Sequence, residues 1–235
     1  MTLTLTAAAR THIGQVRKRN EDAVYAGRVL FAVADGLGGH TAGDTASTAV
    51  INTLRPYDQP APPDTLPAVL GGAIHQANTV LRNLVAADPA LRGMGTTLVA
   101  LMWSEDQAVL ANIGDSRAYL LRDGTLRQIT EDHTYAHLLA DAADVPTLPE
   151  RISRYLDGLA DGRSPDISYR DLRPGDRLLL CSDGLSGVVP TEDVLATLST
   201  VHDREDAADR LVALANELGG PDNITVIVVD VADHG

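Results

Sequence analysis

Four aspartates lie where apolar segments begin or end, and together they could bind a metal ion. Asp35 follows "FAVA", Asp183 follows "LLLCS", Asp222 precedes "NITVIVV", and Asp22 closes "RKRNED" before a short apolar piece. Side chains at strand ends can share a rim, and clustered carboxylates repel one another unless a cation lies between them. Such a cluster would suit Mg2+ or Mn2+, which prefer oxygen ligands. The alternative is that these aspartates merely punctuate separate turns.

Two of these aspartates precede a glycine at a junction between a strand and a helix. After "VADGLGGH" comes the helical pattern "TAGDTASTAVINTL", and after "CSDGLSGVVP" comes "TEDVLATL". Gly36 and Gly184 would let backbone groups approach closely beside the carboxylates. Asp123-Gly124 differs, because it joins two alternating segments and predicts a two-residue hairpin turn without a chemical role.

The elements that must position these residues are mainly strands joined by short turns. Apolar or alternating segments predict strands at 2–6, 29–34, 96–103, 107–113, 117–122, 125–130, 177–182 and 224–231. Helical periodicity predicts helices at about 43–54, 66–86, 191–199 and 204–218. Consecutive strands in one block, with helices gathered in others, favour an antiparallel α+β layered fold over a doubly wound parallel one.

Two segments are predicted to be loops. Residues 55–67 contain five prolines, which exclude a helix interior or a central strand. We interpret this segment as a loop between two helices rather than a domain linker, because acidic motifs lie on both sides of it. Residues 134–175 are irregular, and a stretch at about 134–170 is expected to form a flap beside the site.

Composition narrows the classes of function. The chain has 235 residues, 44% of them hydrophobic, which is enough for a single domain spanning 1–235. Its 32 acidic and 19 basic residues give a net charge of -13, which disfavours nucleic acid and membrane surfaces as partners.

The single cysteine, Cys181, lies in an apolar run and predicts a buried thiol in a reducing, cytoplasmic compartment. No apolar stretch approaches the roughly 18 residues needed to cross a bilayer.

Seven segments occur in a recognisable order across residues 16–229. They are "VRKRNEDA", "FAVADGLGGH", "GMGTTLVAL", "ANIGDSRAYLL", "QITEDHT", "LLLCSDGLSGVV" and "GGPDNITVIVV". In this order they resemble the metal-dependent Ser/Thr protein phosphatases of the 2C type, in their short bacterial form. The resemblance implies a four-layer α-β-β-α sandwich, with helices flanking two central antiparallel sheets. It also implies two Mn2+ or Mg2+ ions that activate a water to hydrolyse phosphoserine or phosphothreonine in proteins.

By the same resemblance, five residues are expected to hold the two ions. Asp35 resembles the carboxylate that bridges both ions, and the carbonyl group of Gly36 resembles a ligand of one of them. Asp183 and Asp222 match carboxylates on one ion, and Asp22 matches a ligand reached directly or through water. Two ions about 3.5 to 4 Å apart lower the pKa of a bridging water and offset charge on the phosphoryl group.

The resemblance assigns further roles to Arg17 and Asp115. Arg17, five residues before Asp22, resembles the arginine that grips the substrate phosphate, since a guanidinium can bind two phosphate oxygens at once. Asp115 matches the residue that helps Asp183 hold a third, more weakly bound ion in bacterial members. The expected catalytic residues are therefore Arg17, Asp35 and Asp183.

The histidines leave the proton donor for the leaving group unassigned. Eukaryotic members place a histidine directly after the Asp-Gly pair, where this chain has Leu37. His40 could interact with the site or form a hydrogen bond at the start of a helix. His133 and His137 have an i, i+4 spacing that could bind zinc, although the segment "TEDHT" favours a structural role for His133.

The expected partners are phosphorylated proteins, namely Ser/Thr kinases and their substrates, and the chain is expected to be a monomer. Two alternatives stay open. One is a pseudophosphatase that binds a kinase or a sigma-factor regulator, which the intact aspartates oppose. The other is a phosphatase dedicated to one phosphoserine regulator, such as an anti-sigma antagonist. Activity on a generic phosphopeptide separates enzyme from binding module, and a panel of phosphoproteins separates the two enzyme hypotheses.

Overall fold

Eleven strands form two antiparallel β-sheets in the computed structural model, which describes residues 3–38, 42–135, 151–159 and 164–233. In chain order they are β1 (Leu3–His12), β2 (Asp22–Ala26), β3 (Leu30–Leu37), β4 (Gly95–Thr96), β5 (Leu98–Ser104), β6 (Gln107–Ile113), β7 (Arg117–Arg122), β8 (Thr125–Gln128), β9 (Asp166–Asp171), β10 (Arg177–Cys181) and β11 (Ile224–Asp233). The five-stranded sheet has the order β1-β11-β10-β7-β8. The six-stranded sheet has the order β2-β3-β5-β6-β9, with β4 paired to β3.

Five α-helices occur within the described residues. They are α1 (Ala42–Leu54), α2 (Leu66–Ala87), α3 (Asp183–Ser186), α4 (Thr191–Thr200) and α5 (Arg204–Glu217). The side chain of Asp203 caps α5, because it accepts hydrogen bonds from the backbone N–H groups of Glu205 (2.8 Å) and Asp206 (3.1 Å). None of the described helices has both the length and the apolar character that crossing a membrane requires.

Successive side chains of a strand point to opposite faces of its sheet. In both sheets, apolar side chains on each face are covered by another layer. In β3, Phe31 and Val33 pack between the two sheets with Ile227 and Val229 of β11. The alternate residues of β3 pack against α1 and α2, and those of β11 pack against α4 and α5. The layers therefore run helices, sheet, sheet, helices. This order confirms the predicted four-layer α-β-β-α sandwich.

Two predicted connections are confirmed. Asp123-Gly124 forms the tight turn between β7 and β8, with φ angles of 52° and 73°, and both values lie in the left-handed region that this turn requires. Residues 55–65 connect α1 to α2 and include two short turns of 3-10 helix, as the prolines of this segment predict.

Several strands differ from the sequence-based expectation, among them β1, which was predicted at 2–6 and extends to His12. The patterns missed β2, which has only five residues, and β9, which lies at a sheet edge and has several exposed side chains. The segment 134–175, expected to be irregular, therefore contributes a strand to the six-stranded sheet. The strand predicted at 96–103 is divided at Thr97, because β4 and β5 pair with different parts of β3.

Asp58, in the connection between α1 and α2, holds the turn between β2 and β3. Its carboxylate accepts hydrogen bonds from the backbone N–H groups of Arg28, Val29 and Leu30 at 2.7 to 3.0 Å, and from the Tyr25 hydroxyl at 3.0 Å. Burial works against the charged form, but these hydrogen bonds outweigh it and lower the pKa of Asp58. The turn sets the register of β2 against β3, and so determines which residues face each other at the far end of the hairpin.

Replacing Asp58 with alanine should lower the free energy of unfolding at pH 7 by about 2 to 3 kcal/mol, because three backbone N–H groups lose their acceptor. A lowered carboxyl pKa stabilises the fold above about pH 4, so the effect of the substitution should shrink as the pH falls below that value. Urea denaturation at pH 7 and pH 3 measures both effects. The control Asp64→Ala, at an exposed position of the same connection, should change the free energy by less than about 0.5 kcal/mol. Equal losses in the two variants would contradict this role of Asp58.

Candidate metal centre

Asp22 and Asp35 lie directly opposite each other in the pair formed by β2 and β3. Two carboxylates at facing positions repel, so this pairing is unfavourable unless the charge is compensated. The Asp35 backbone is fixed from the other side, since its N–H donates to Thr97 Oγ1 (3.0 Å) and its carbonyl accepts from the Thr97 N–H (2.9 Å). The Thr97 and Ser116 hydroxyl groups are 2.7 Å apart, which connects Asp35 to the residue following Asp115.

Asp183 and Asp222 come from the other sheet, at the end of β10 and just before the start of β11. The N–H of Ser182 donates to the Thr225 carbonyl (3.0 Å), which continues the sheet up to the residue before Asp183. The Ser182 hydroxyl donates to Asp22 Oδ2 (2.8 Å) and so joins the two sheets. Sequence analysis missed Ser182, although it directly precedes an Asp-Gly pair.

Asn223 is a second link between the sheets that sequence analysis missed. Its Oδ1 accepts from the Glu21 N–H (2.8 Å), and its Nδ2 donates to two backbone carbonyl groups, including that of Arg19 (2.8 Å). The residue is only 5% exposed. Because Asn223 follows Asp222 and Glu21 precedes Asp22, one buried amide group fixes two of the aspartate-bearing segments.

Gly36 and Gly184 lie where backbone segments approach too closely for a side chain. A Cβ atom on Gly36 would lie 2.3 Å from the Gly43 carbonyl oxygen, and one on Gly184 would lie 1.9 Å from the Asn223 carbonyl oxygen. These distances confirm the close backbone approach expected beside each aspartate. Each glycine packs against a neighbouring chain segment and allows the adjacent carboxylate to lie at the sheet edge.

The aspartates raise one another's pKa values. Burial, followed by the charges of neighbouring aspartates, raises the pKa of both Asp22 and Asp115 to about 7. Burial and the charges of Asp22 and Asp183 raise the pKa of Asp35 well above its ordinary value. Burial and the charge of Asp222 likewise raise the pKa of Asp183. These carboxyl groups therefore lie close enough that their joint ionisation calls for a compensating cation.

One oxygen atom in each of three carboxyl groups is buried without a hydrogen-bond partner, namely Asp22 Oδ1, Asp115 Oδ1 and Asp183 Oδ1. Such acceptors are costly, and a divalent cation with oxygen ligands would satisfy them, so the donor set fits Mg2+ or Mn2+. Across the described residues, no three histidine, cysteine, aspartate or glutamate side chains are already arranged to hold an ion together. Because these side chains do not yet converge on one point, we expect ion binding to involve side-chain rotation, with backbone groups and water completing the ligand set.

Arg17 lies at the same edge, beside Asp222. Its Nη2 donates to Asp222 Oδ2 (2.6 Å), and 55% of its side chain is exposed. Within the described part of the chain, this guanidinium makes no other hydrogen bond. Its remaining N–H groups can therefore bind an anion that approaches from solvent, and their planar arrangement suits two oxygens of one phosphate.

A buried histidine holds the loop that carries Asp115. The Nδ1 atom of His133 accepts from the Gly114 N–H (3.1 Å), and its Nε2 lies 2.9 Å from Asp166 Oδ2. Burial lowers the pKa of this imidazole. These contacts give His133 the structural role that its segment favours. His137, the second residue of the zinc hypothesis, lies outside the described residues.

The structure supports no chemical role for Cys181, and it leaves the missing histidine at position 37 without a replacement among the described residues. Cys181 is buried, and burial raises the pKa of its thiol to about 12, so the nucleophilic thiolate is disfavoured at neutral pH. Leu37 ends β3 and offers no proton. His40 lies outside the described residues, and the proton donor for a leaving group stays unassigned.

Residues 10–219 match the sequence profile of the family described as Protein phosphatase 2C. The chain belongs to the protein phosphatase 2C family. This membership confirms the resemblance of the seven ordered segments.

Two relatives and one solved structure show how closely this 2C-family chain resembles known members. The serine/threonine protein phosphatase PstP of Mycobacterium tuberculosis is 45% identical over 241 residues, which cover 100% of this chain and 46% of PstP. The serine/threonine phosphatase stp of Listeria welshimeri is 35% identical over 240 residues, 95% of each chain. The crystal structure of the PstP catalytic domain in complex with two manganese ions has a TM-score of 0.92 and 46% identity, covering 99% of this chain and 100% of that one. The chain thus spans about half the length of its mycobacterial relative.

The raised pKa values of the buried aspartates predict that stability depends on pH and on metal. Between about pH 4 and pH 7 the folded state of the metal-free protein binds more protons than the unfolded state at Asp22 and Asp115, so these groups lower its stability as the pH rises. Asp115→Asn removes one such group. In EDTA, the variant should therefore gain stability over the parent by roughly 1 to 3 kcal/mol more at pH 8 than at pH 5.

At pH 8, saturating Mn2+ should make the parent more stable than Asp115→Asn, because the ion takes the place of the protons on the carboxylates. It should also raise the melting temperature of the parent. Thermal and urea denaturation with EDTA or with Mn2+ measure both effects. Equal pH dependence of variant and parent in EDTA would contradict the carboxylate cluster.

Proposed function

We propose that this 2C-family chain is a metal-dependent phosphatase that hydrolyses phosphoserine and phosphothreonine in proteins. The observation that carries the proposal is the set of buried carboxylate oxygens without partners, contributed by both sheets at one edge of the sandwich. The exposed side of the Arg17 guanidinium lies beside that set and suits a phosphate. The names of the similar proteins support the same reaction.

The metal centre that we propose contains two Mn2+ or Mg2+ ions. Asp35 would contact both ions, and the other ligands would be Asp22, the carbonyl group of Gly36, Asp183 and Asp222. Asp115 would hold a third, weaker ion together with Asp183. The manganese complex of the PstP catalytic domain supports the identity of the metal and the count of two. When bound, the ions would activate a water for attack on phosphorus and offset charge on the phosphoryl oxygens.

The residues of the chain would bind and orient the substrate. Arg17 would hold two oxygens of the phosphate, which fixes the direction of the phosphorus relative to the carboxylates. Asp222, its ion-pair partner, would prevent the guanidinium from rotating away from the site toward solvent. Ser182 would hold Asp22 in place through the hydrogen bond to its Oδ2 atom.

The proposed substrates are phosphorylated proteins, among them Ser/Thr kinases and their targets. The proposed setting is the cytoplasm, with the chain acting as a monomer and residues 1–235 forming one catalytic domain with a flap at about 134–170. A pseudophosphatase would need no compensated carboxylate cluster, so the buried aspartates favour an enzyme over a binding module.

Purified protein should release phosphate from a phosphothreonine peptide when Mn2+ is added, and EDTA should abolish the release. Asp35→Asn should reduce kcat by about a hundredfold or more without unfolding the protein, because one change weakens both ion sites. Cys181→Ser is the matched control and should keep its activity, since no thiol takes part. Near-normal turnover in Asp35→Asn, or loss of turnover in a folded Cys181→Ser, would contradict the proposed mechanism.

Arg17→Ala should lower kcat/KM by about ten- to a hundredfold, mainly through KM, because a charge-assisted contact to the phosphate is lost. Lys18→Ala and Arg19→Ala should have little effect on a peptide with neutral residues beside the phosphothreonine. Steady-state kinetics should be measured at saturating Mn2+ for each variant, since Arg17 also contacts Asp222. Equal effects of all three substitutions would show that the segment acts only as a diffuse positive patch.

A further inference from the structure

Two exposed cations lie next to Arg17, and of the two only Arg19 is close enough to the Glu21 carboxylate to lower its pKa by charge attraction. Lys18 and Arg19 are exposed, and among the described residues neither takes part in a salt bridge or in a side-chain hydrogen bond. Several other arginines do pair with carboxylates, for example Arg117 with Asp132 (2.7 Å) and Arg122 with Asp176 (2.6 Å). The chain has a net charge of -13, so a shortage of acidic residues does not explain why Lys18 and Arg19 form no salt bridge.

The two cations line a pocket of about 420 Å³ at the candidate metal centre. The pocket is formed by Arg17, Lys18, Arg19, Glu21 and Asn223. Arg17 contacts a proposed metal ligand, and Asn223 directly follows the same ligand. Any substrate whose phosphate reaches Arg17 would therefore place its neighbouring residues in or beside this pocket.

The backbone that carries the two cations is fixed, while their side chains form no hydrogen bond within the part of the chain that the structure describes. Asn223 Nδ2 donates to the Arg19 carbonyl (2.8 Å), and Asn20 Nδ2 donates to Thr11 Oγ1 (2.8 Å). On the other side of the segment, the Gln15 N–H donates to the Gly220 carbonyl (2.7 Å). A rigid backbone reduces the entropy cost of binding, so cations held in this way can recognise an anion more effectively than cations on a mobile loop.

Exposed cations are often only solvated, but their place in this molecule favours a specific role. The acidic protein repels anionic substrates at long range, and a local positive region at the site would offset that repulsion. We propose that Lys18 and Arg19 form a subsite for a second anionic group of the phosphoprotein, a phosphate or carboxylate near the residue that is dephosphorylated. This inference rests on the proposed phosphatase function and names its preferred substrates, which carry clustered phosphates or acidic neighbours.

The experiment compares kcat/KM of the full chain, with saturating Mn2+, on three phosphothreonine peptides. They differ at one neighbouring position, which carries a neutral residue, a second phosphothreonine or a glutamate. The parent should prefer the two anionic peptides. The double variant Lys18→Ala with Arg19→Ala should lose about five- to tenfold on those two and less than about twofold on the neutral peptide.

Two controls separate the subsite from a general effect of charge. Lys18→Arg should keep the preference for anionic peptides. Arg127→Ala, which removes an exposed charge from β8, should leave all three values unchanged. A loss confined to the diphosphorylated peptide would support a subsite selective for phosphate. Equal losses on the three peptides, or no loss on any, would overturn the proposal.

A second readout does not depend on turnover. Lys18 is the only lysine of the 235-residue chain, so labelling by an amine-reactive reagent, followed by mass spectrometry, reports on this one side chain. In the Mn2+-loaded protein, a diphosphorylated peptide with non-hydrolysable phosphonates should slow labelling of Lys18 by at least about threefold relative to its neutral-neighbour counterpart. Equal labelling rates would overturn the subsite. A parent without activity on any peptide would instead contradict the proposed function, and the labelling result would still decide the subsite.

Discussion

Repulsion among carboxylates buried at one edge of the sandwich is the constraint on which the rest of the site depends. Asp22 and Asp35 face each other on adjacent strands, and Asp183 adds a third charge from the opposite sheet. Water and hydrogen-bond donors reach these groups only in part, because several carboxylate oxygens are buried without partners. Such an arrangement opposes folding and persists only where the surrounding structure holds it, which is typical of sites built to bind cations.

The surrounding structure holds the carboxylates through contacts between distant parts of the chain. Asn223 and Ser182 connect the sheet that carries Asp183 to the segment that carries Asp22. Asp58 fixes the far end of the hairpin formed by β2 and β3, and so determines its register. Large apolar cores on both faces of each sheet stabilise the fold, and this stabilisation offsets the local repulsion among the carboxylates.

Local signals in the sequence predicted an antiparallel α+β layered fold and indicated aspartates at strand ends as candidate ligands, whereas the four-layer order and the residue roles came from the family resemblance. Apolar runs such as "ITVIVV" are typical of strands buried on both faces, and Asp35 and Asp183 each end such a run beside a glycine. The family match of residues 10–219 confirms the resemblance on which the residue roles were based, whereas the roles themselves stay predictions. The unpredicted parts depend on long-range contacts. Asn223 meets Glu21 across 202 residues, and β9 has an edge position that only the folded sheet defines.

The most direct test of the carboxylate account is anomalous diffraction from crystals of this chain grown or soaked with Mn2+. The account predicts two anomalous peaks about 3.5 to 4 Å apart. Both peaks should lie within bonding distance of Asp35, with Asp183 and Asp222 on one of them. Manganese at other acidic surfaces, or a single ion that does not touch Asp35, would contradict the account.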